Sequence, residues 1–92
     1  MSYSIVDPIL KAWADNHGLH IHTQYQDVEV RSIDMVNPQG KHFQIWIDEP
    51  SQAGDTIVHV WDMKKRRQDY IATKSSLKEK LEAAYQQAQK WF

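Results

Sequence analysis

The sequence predicts an α+β fold in which an N-terminal helix, an antiparallel meander of strands and a C-terminal helix follow one another along the chain. Three observations predict it. Apolar residues recur at helical spacing at both ends of the chain, they alternate with polar residues across residues 19–63, and turn-forming residues interrupt that alternation. Because the chain has 92 residues and little Gly or Pro, we expect one globular domain spanning 1–92.

The first element is predicted to be a helix beginning at Asp7-Pro8, because Asp is a favoured N-cap and Pro suits the first helical position. Ser4 is a competing, weaker cap. One apolar stripe supports the helix: Val6, Ile9, Leu10, Trp13 and His17. Gly18 is placed to end it, since glycine readily adopts a left-handed conformation.

The middle of the chain predicts four strands, over residues 19–25, 28–36, 41–48 and 56–63. The segments joining them differ in strength as turn signals. Gln26-Asp27 is weak because it lacks Gly, whereas Asn37-Pro38-Gln39-Gly40 is strong because Pro and Gly each suit a turn position.

Centring the third and fourth strands on their loop predicts a register in which core-facing residues pair with each other. The predicted pairs are Ile45 with Val58, Phe43 with Val60, Trp46 with Ile57 and His42 with Trp61. The second strand changes phase, since Val28 and Val30 belong to one face and Ile33 and Met35 to the other. We therefore predict a β-bulge near residues 31–32.

The densest charge run, residues 64–67 (Lys-Lys-Arg-Arg), lies between two aromatic residues. If it is a hairpin tip, Trp61 pairs with Tyr70, Val60 pairs with Ile71, and the sheet gains a fifth strand. The alternative is that the run is a loose connector. A run of cations without a Gly-rich phosphate cradle is a signal of low specificity.

The C-terminal segment predicts an amphipathic helix whose start fits a capping box of Ser76 with Glu79. Its apolar stripe is continuous: Leu77, Leu81, Ala84, Tyr85, Ala88, Trp91 and Phe92. We expect both helices to cover one sheet face, formed by Phe43, Ile45, Ile47, Val58, Val60 and Ile71.

Composition narrows the class of protein. Without cysteine there is neither a disulfide framework nor a Cys-based zinc site. The N-terminus has no basic region followed by an apolar run, so we expect a cytoplasmic protein without a membrane span. The net charge of −1 combines −5 over residues 1–61 with +4 over residues 62–92, and so does not resemble that of a protein that coats nucleic acid.

Catalytic and metal-binding signals are weak. His20 and His22 share a strand face, as a chelating pair would, but no acid is placed to complete the coordination shell. The loop containing Asp48, Glu49 and Asp55 lacks the ligand spacing of a calcium loop. Because no nucleophile elbow or Gly-rich cofactor turn occurs either, we expect no enzymatic activity, no metal and no cofactor.

The remaining candidate is the sheet face that the helices would leave uncovered. Our hypothesis is a small protein-interaction module, such as an adaptor, an inhibitor or an immunity-like protein, that binds a partner or a second copy. The candidate residues are Trp46, Trp61, Tyr70, His42, His59, Lys64, Lys65, Arg66 and Arg67. The alternative is nucleic-acid binding, with Trp46, Trp61 and Tyr70 stacking on bases and residues 64–67 contacting phosphates. A third interpretation is structural: either the two helices divide between the two sheet faces, or long neighbouring side chains cover the rings.

Overall fold

The computed structural model describes residues 3–91 and confirms the predicted α+β fold. The chain forms a helix, a five-stranded antiparallel sheet and a second helix, in that order. The strand order in the sheet follows the chain, β1-β2-β3-β4-β5. After a short 3-10 helix, Tyr3–Ile5, the elements are α1 (Asp7–Asn16), β1 (His22–Tyr25), β2 (Val28–Val36), β3 (His42–Ile47), β4 (Thr56–Trp61), β5 (Arg67–Ala72) and α2 (Leu77–Lys90).

One core lies between the two helices and one face of the sheet. Its largest fully buried side chains come from both helices and from β2, β3 and β4: Leu10, Ile33, Phe43, Ile45, Val58, Val60, Leu77 and Leu81. Burial along β3 and β4 alternates residue by residue, as expected for strands with one covered face. Both helices therefore cover the same face, as the sequence predicts.

The start of α1 differs from the predicted cap. Val6 occupies the N-cap position, and Asp7 is the first helical residue with Pro8 in the first turn. The Asp7 carboxylate instead accepts two hydrogen bonds from the Arg31 guanidinium, at 2.8 and 3.1 Å, so it ties α1 to β2. Gly18 has φ of 66° just beyond the helix, which agrees with its predicted role.

The first strand is shorter than predicted. Leu19 and Ile21 pack against the edge of the core before β1 begins, and all four residues of β1 are exposed. The weak turn signal was nevertheless correct, because Gln26 and Asp27 join β1 to β2 with φ of 50° and 67°. Positive φ at both central residues is typical of the type I′ hairpin turn.

The predicted bulge in the second strand is confirmed. Against β1, Glu29 pairs with Gln24 and Ser32 pairs with His22, so two residues of β2 lie opposite the single Thr23. The extra residue falls at positions 30–31, one residue earlier than predicted. As expected, the strand then pairs Ile33 with Ile45 and Met35 with Phe43.

The turn between β2 and β3 is organised by the buried side chain of Asn37. Its Oδ1 accepts hydrogen bonds from the backbone N–H groups of Gln39 and Lys41, both at 3.0 Å, and Gly40 has φ of 80°. Its Nδ2 donates to the carbonyl oxygen of Trp91 at 3.1 Å. The end of α2 is therefore fixed to this end of the sheet.

The predicted register of β3 against β4 was wrong by two residues. Ile45 pairs with Val60 and Ile47 with Val58, whereas Ile45 was expected to pair with Val58. The loop is closed by a hydrogen bond from Ser51 N–H to Asp55 O at 2.9 Å. The centre of the turn therefore lies further along the chain than the sequence prediction placed it. Since an even shift keeps every side chain on its own face, the predicted faces of both strands remain correct.

The fifth strand exists, but its predicted register was wrong by three residues. Trp61 pairs with Arg67, not with Tyr70, and Tyr70 pairs with the core residue Val58. Because an odd shift exchanges the two faces of a strand, Tyr70 lies on the helix-covered side. Ile71, expected in the core, lies on the opposite face with 80% of its surface exposed.

The C-terminal helix follows the predicted stripe. Leu77, Leu81, Ala84 and Ala88 are fully buried, Tyr85 and Trp91 are half-buried, and Phe92 lies outside the described residues. Ser76 occupies the N-cap position, but the capping box does not form, since its Oγ accepts a hydrogen bond from Thr73 N–H at 2.9 Å. Within residues 3–91, neither helix has both the length and the apolar character needed to cross a membrane.

Candidate functional site

The sheet face opposite the helices, called the open face below, has no helix over it within the described chain. Strand pairing and alternation place two tryptophans, three aliphatic residues and several charged or polar groups there: Ser32, Asp34, Val36, His42, Gln44, Trp46, Ile57, His59, Trp61, Arg67, Asp69 and Ile71. This composition differs from that of the covered face and makes the open face the first place to look for a binding site.

His59 lies near the middle of the open face and is held on three sides. Its Nδ1 lies 2.7 Å from an oxygen of Asp69, and its Nε2 lies 3.0 Å from an oxygen of Asp48. Its ring stacks on Trp46 with 4.8 Å between centroids and 19° between planes. With only 12% of its side chain exposed, His59 holds the Trp46 ring in place and offers little surface to a ligand.

A shallow cavity of about 490 Å³ lies at one end of the open face, and five of the nine predicted site residues line it: Trp46, Trp61, Lys64, Lys65 and Arg67. The pairing of Gln44 with Trp61 brings the two tryptophans, on β3 and β4, to adjacent positions of the sheet. The loop between β4 and β5 supplies the lysines, and the start of β5 supplies Arg67.

Asp62 builds this loop, and sequence reasoning missed its role. One carboxylate oxygen accepts hydrogen bonds from the backbone N–H groups of Lys64, Lys65 and Arg66 at 2.9 to 3.0 Å. The other lies 3.2 Å from Arg66 Nε. Partial burial acts to raise the pKa of Asp62, but these donors together hold that pKa below its usual value.

The same carboxylate explains the register error at β5. The turn runs from Asp62 to Arg66, with Asp62 N–H donating to Arg66 O at 3.0 Å and Met63 at φ of 65°. Asp side chains commonly bond to the backbone two residues onward, which was the available sequence signal. Since the turn ends at Arg66, Arg67 already belongs to β5 and pairs with Trp61.

The four consecutive cations do not act as one patch. The Arg66 guanidinium lies 5.7 Å from the ring of Trp91, on the side of α2. Lys64, Lys65 and Arg67 line the cavity instead. Arg67 Nε is 3.4 Å from Asp69, whereas neither lysine forms an ion pair with any residue of the 3–91 segment.

Two further predicted residues lie outside the cavity. Tyr70 is half-buried on the covered side, where burial raises the pKa of its hydroxyl, so it cannot join Trp46 and Trp61 on the open face. His42 is exposed at the start of β3 and borders a separate cavity of about 300 Å³, which Trp91 also lines.

The weak metal signals gain no further ligands. The rings of His20 and His22 are 5.1 Å apart, and His22 Nε2 lies 3.3 Å from a carboxylate oxygen of Asp34. Among the described residues, however, no group of three or more His, Cys, Asp or Glu side chains is placed to hold a metal ion. In the acidic loop, Asp48 is bound to His59.

Glu82 is a second residue whose role the sequence did not reveal. It accepts hydrogen bonds from Gln86 and from Trp13 Nε1, both at 3.0 Å, and lies 2.8 Å from His17 Nε2. The bond from Gln86, helped by those from Trp13 and His17 and opposed by burial, holds the pKa of Glu82 below its usual value. These contacts connect α2 to α1, so the role of Glu82 is structural.

Comparison of the chain with protein-family models, with curated proteins and with solved structures gave no significant match.

Proposed function

We propose that this protein is a small protein-interaction module that binds a partner protein through its open face. The proposal rests on one observation: Trp46 and Trp61, on the open face, border a single cavity together with Lys64, Lys65 and Arg67. Tryptophan and arginine are enriched among the residues that dominate binding energy at protein interfaces.

The rigidity of the cavity supports the proposal. The Trp46 ring is held in place by its stacking on His59. His59 is in turn held by the two carboxylates that flank it. The three backbone hydrogen bonds to Asp62 restrict the loop that forms one wall. A surface that is already ordered loses little conformational entropy when a partner binds.

The proposed activity is binding and not catalysis. His59 is flanked by carboxylates, as a catalytic histidine often is, but both of its ring nitrogens already contact them. Both ring nitrogens are thus engaged within the protein, and the ring stacks on Trp46, which favours a supporting role for His59. We place the protein in the cytoplasm, since a chain without cysteine is compatible with a reducing compartment.

Nucleic-acid binding is the second candidate, because Trp61 lies beside three cations. Three features make it the weaker one. Tyr70 lies on the other face, one face of the Trp46 ring is occupied by His59, and Asp69 lies beside Arg67. The open face therefore offers little continuous surface on which the bases of a nucleic-acid strand could stack while its phosphates contact the cations.

Capture from a cytosolic lysate tests both candidates. Tagged wild-type protein is compared with Trp61→Ser and with Tyr25→Ser, a matched control because Tyr25 is an aromatic residue of the distant strand β1 with 66% of its surface exposed. We expect the wild type to capture a partner protein that stays bound after nuclease treatment. The Tyr25→Ser variant should still capture this partner, and the Trp61→Ser variant should not. Loss of all captured material on nuclease treatment would favour nucleic acid.

Two direct measurements complete the test. Sedimentation of the purified wild type at increasing concentration shows whether the partner is a second copy. Fluorescence anisotropy with labelled DNA and RNA oligonucleotides should show no binding tighter than about 1 μM near physiological salt. Tighter binding that is lost in Trp61→Ser would replace the proposed function with the second candidate.

A further inference from the structure

We infer that the cavity of the open face receives an acidic segment of the partner that also carries an apolar side chain, an inference that rests on the proposed function. Carboxylates of the segment would contact Lys64, Lys65 and Arg67, and the apolar side chain would lie against Trp46 and Trp61. A local cluster of cations favours a ligand of complementary charge.

The positive charge beside the cavity is not neutralised within the loop. Asp62, the acidic residue of the loop, is turned inward and only 10% of its side chain is exposed. Its oxygens are taken up by three backbone N–H groups and by Arg66, so they do not pair with Lys64 or Lys65. Within residues 3–91 the two lysine ammonium groups therefore have no carboxylate partner, whereas the charge of Arg67 is shared with Asp69.

The charge pattern along the open face selects a peptide over a uniformly charged polymer. Asp69 lies 3.4 Å from Arg67 at the border of the cavity and, together with Asp48, flanks His59, and Asp34 lies on the same face. A nucleic-acid strand carries a phosphate at every nucleotide and would meet these carboxylates as it crossed the face. A protein segment can confine its acidic residues to the cavity and place neutral residues beyond it.

The apolar component follows from the tryptophans. Trp46 and Trp61 are half-buried in the absence of a partner, and they form the aromatic part of the cavity wall. An aliphatic or aromatic side chain placed against them would remove the remaining ring surface from water. Acidic charge alone is therefore not expected to give full affinity.

Fluorescence anisotropy with three labelled synthetic peptides tests the inference. The first has Asp and Glu residues flanking a Leu-Phe pair, the second replaces the acids with Asn and Gln, and the third replaces Leu-Phe with Gly-Gly. We expect the first to bind at least about tenfold more tightly than either of the others. Its affinity should fall as salt rises, because the cations and carboxylates are partly exposed.

Matched charge variants localise the binding. The triple variant Lys64→Gln, Lys65→Gln, Arg67→Gln should weaken binding of the acidic peptide at least about tenfold. The control variant Lys11→Gln, Lys74→Gln, Lys78→Gln removes the same charge from exposed positions elsewhere and should change it less than about twofold. Circular dichroism of each variant establishes that it is folded.

Several results would overturn the inference. They are equal binding of the acidic and neutral peptides, no acidic-peptide binding below about 1 mM, and tighter binding of an oligonucleotide than of the acidic peptide. Wild-type self-association abolished by the triple variant would make a second copy the occupant. In the lysate experiment, a partner lost with Trp61→Ser but kept by the triple variant would leave the proposed function intact while rejecting the acidic segment.

Discussion

The two faces of the same five strands are built by different means. On the covered face, Phe43, Ile45, Val58 and Val60 are buried against two helices and contact other apolar side chains. On the open face, side chains at alternating positions of the same strands contact each other through rings and charges, as in the His59 site. One strand therefore contributes to stability with one side and presents chemical groups with the other.

The comparison separates stability from binding in a testable way. Hydrophobic burial is the dominant favourable term in folding, so substitutions on the covered face should act mainly on the free energy of unfolding. Substitutions around the open-face cavity should act mainly on binding.

Leu81→Ala should have the largest effect, because Leu81 is fully buried in α2 against the covered face. Removing a buried leucine side chain costs about 2–5 kcal/mol of unfolding free energy. Chemical denaturation followed by circular dichroism measures it. The control, Lys78→Ala on the exposed side of the same helix, should change stability by less than about 0.5 kcal/mol. A loss below about 1 kcal/mol for Leu81→Ala would place the core elsewhere.

Trp61→Ser should show the reverse separation. We expect it to weaken partner binding by about 2 kcal/mol or more, as aromatic anchors at interfaces do, while destabilising the fold less than Leu81→Ala. Calorimetric titration of the captured partner, with denaturation of the same variant, gives both numbers. If stability falls as far as in Leu81→Ala and binding does not change, Trp61 belongs to the core of the fold, and the proposed division between the faces is wrong.

Asp62→Ala tests the loop that forms one wall of the cavity. It removes the acceptor of three backbone N–H groups, and loss of a comparable capping side chain costs about 0.5–2 kcal/mol. Asp15→Ala, which removes an exposed carboxylate on α1, is the control and should cost less. Equal denaturation midpoints for the two variants would contradict the role assigned to Asp62.

The pH dependence of this effect has a defined sign. Because the pKa of Asp62 is lower in the folded protein than its unfolded value of about 3.9, its stabilisation is fully present above that value. The stabilisation is lost as the pH falls through the lower, folded pKa. The stability difference between wild type and Asp62→Ala should therefore be constant near neutral pH and shrink in acid.

Sequence patterns predicted the fold because hydrophobic alternation is strong in this chain. The phase change between Val30 and Ile33 predicted the bulge in β2. The predicted faces of β3 and β4 were correct although their predicted register was wrong by two residues. Periodicity reports which face a residue occupies when strands shift in pairs of residues. It does not fix which residues lie opposite each other.

The site was harder to predict because it depends on one turn. The sequence prediction placed the turn at the charge run, residues 64–67. In the structure the turn begins at Asp62 and ends at Arg66, because hydrogen bonds join these two residues. The resulting odd shift moved Tyr70 to the covered face and Ile71 to the open face. Likewise, the contacts of His59 with Asp48 and Asp69 join three strand or loop positions that only the folded sheet brings together.

The smallest expected effect distinguishes two kinds of cation within residues 64–67. Lys64, Lys65 and Arg67 line the cavity, so replacing all three with Gln should change the unfolding free energy by less than about 0.5 kcal/mol, as is usual for exposed charges. Arg66→Gln should cost at least as much alone, since it removes contacts to Asp62 and Trp91. Denaturation of both variants side by side measures the contrast. If the triple variant were instead the less stable one, Lys64, Lys65 and Arg67 would stabilise the fold. That result would contradict the inference that they contact an acidic ligand.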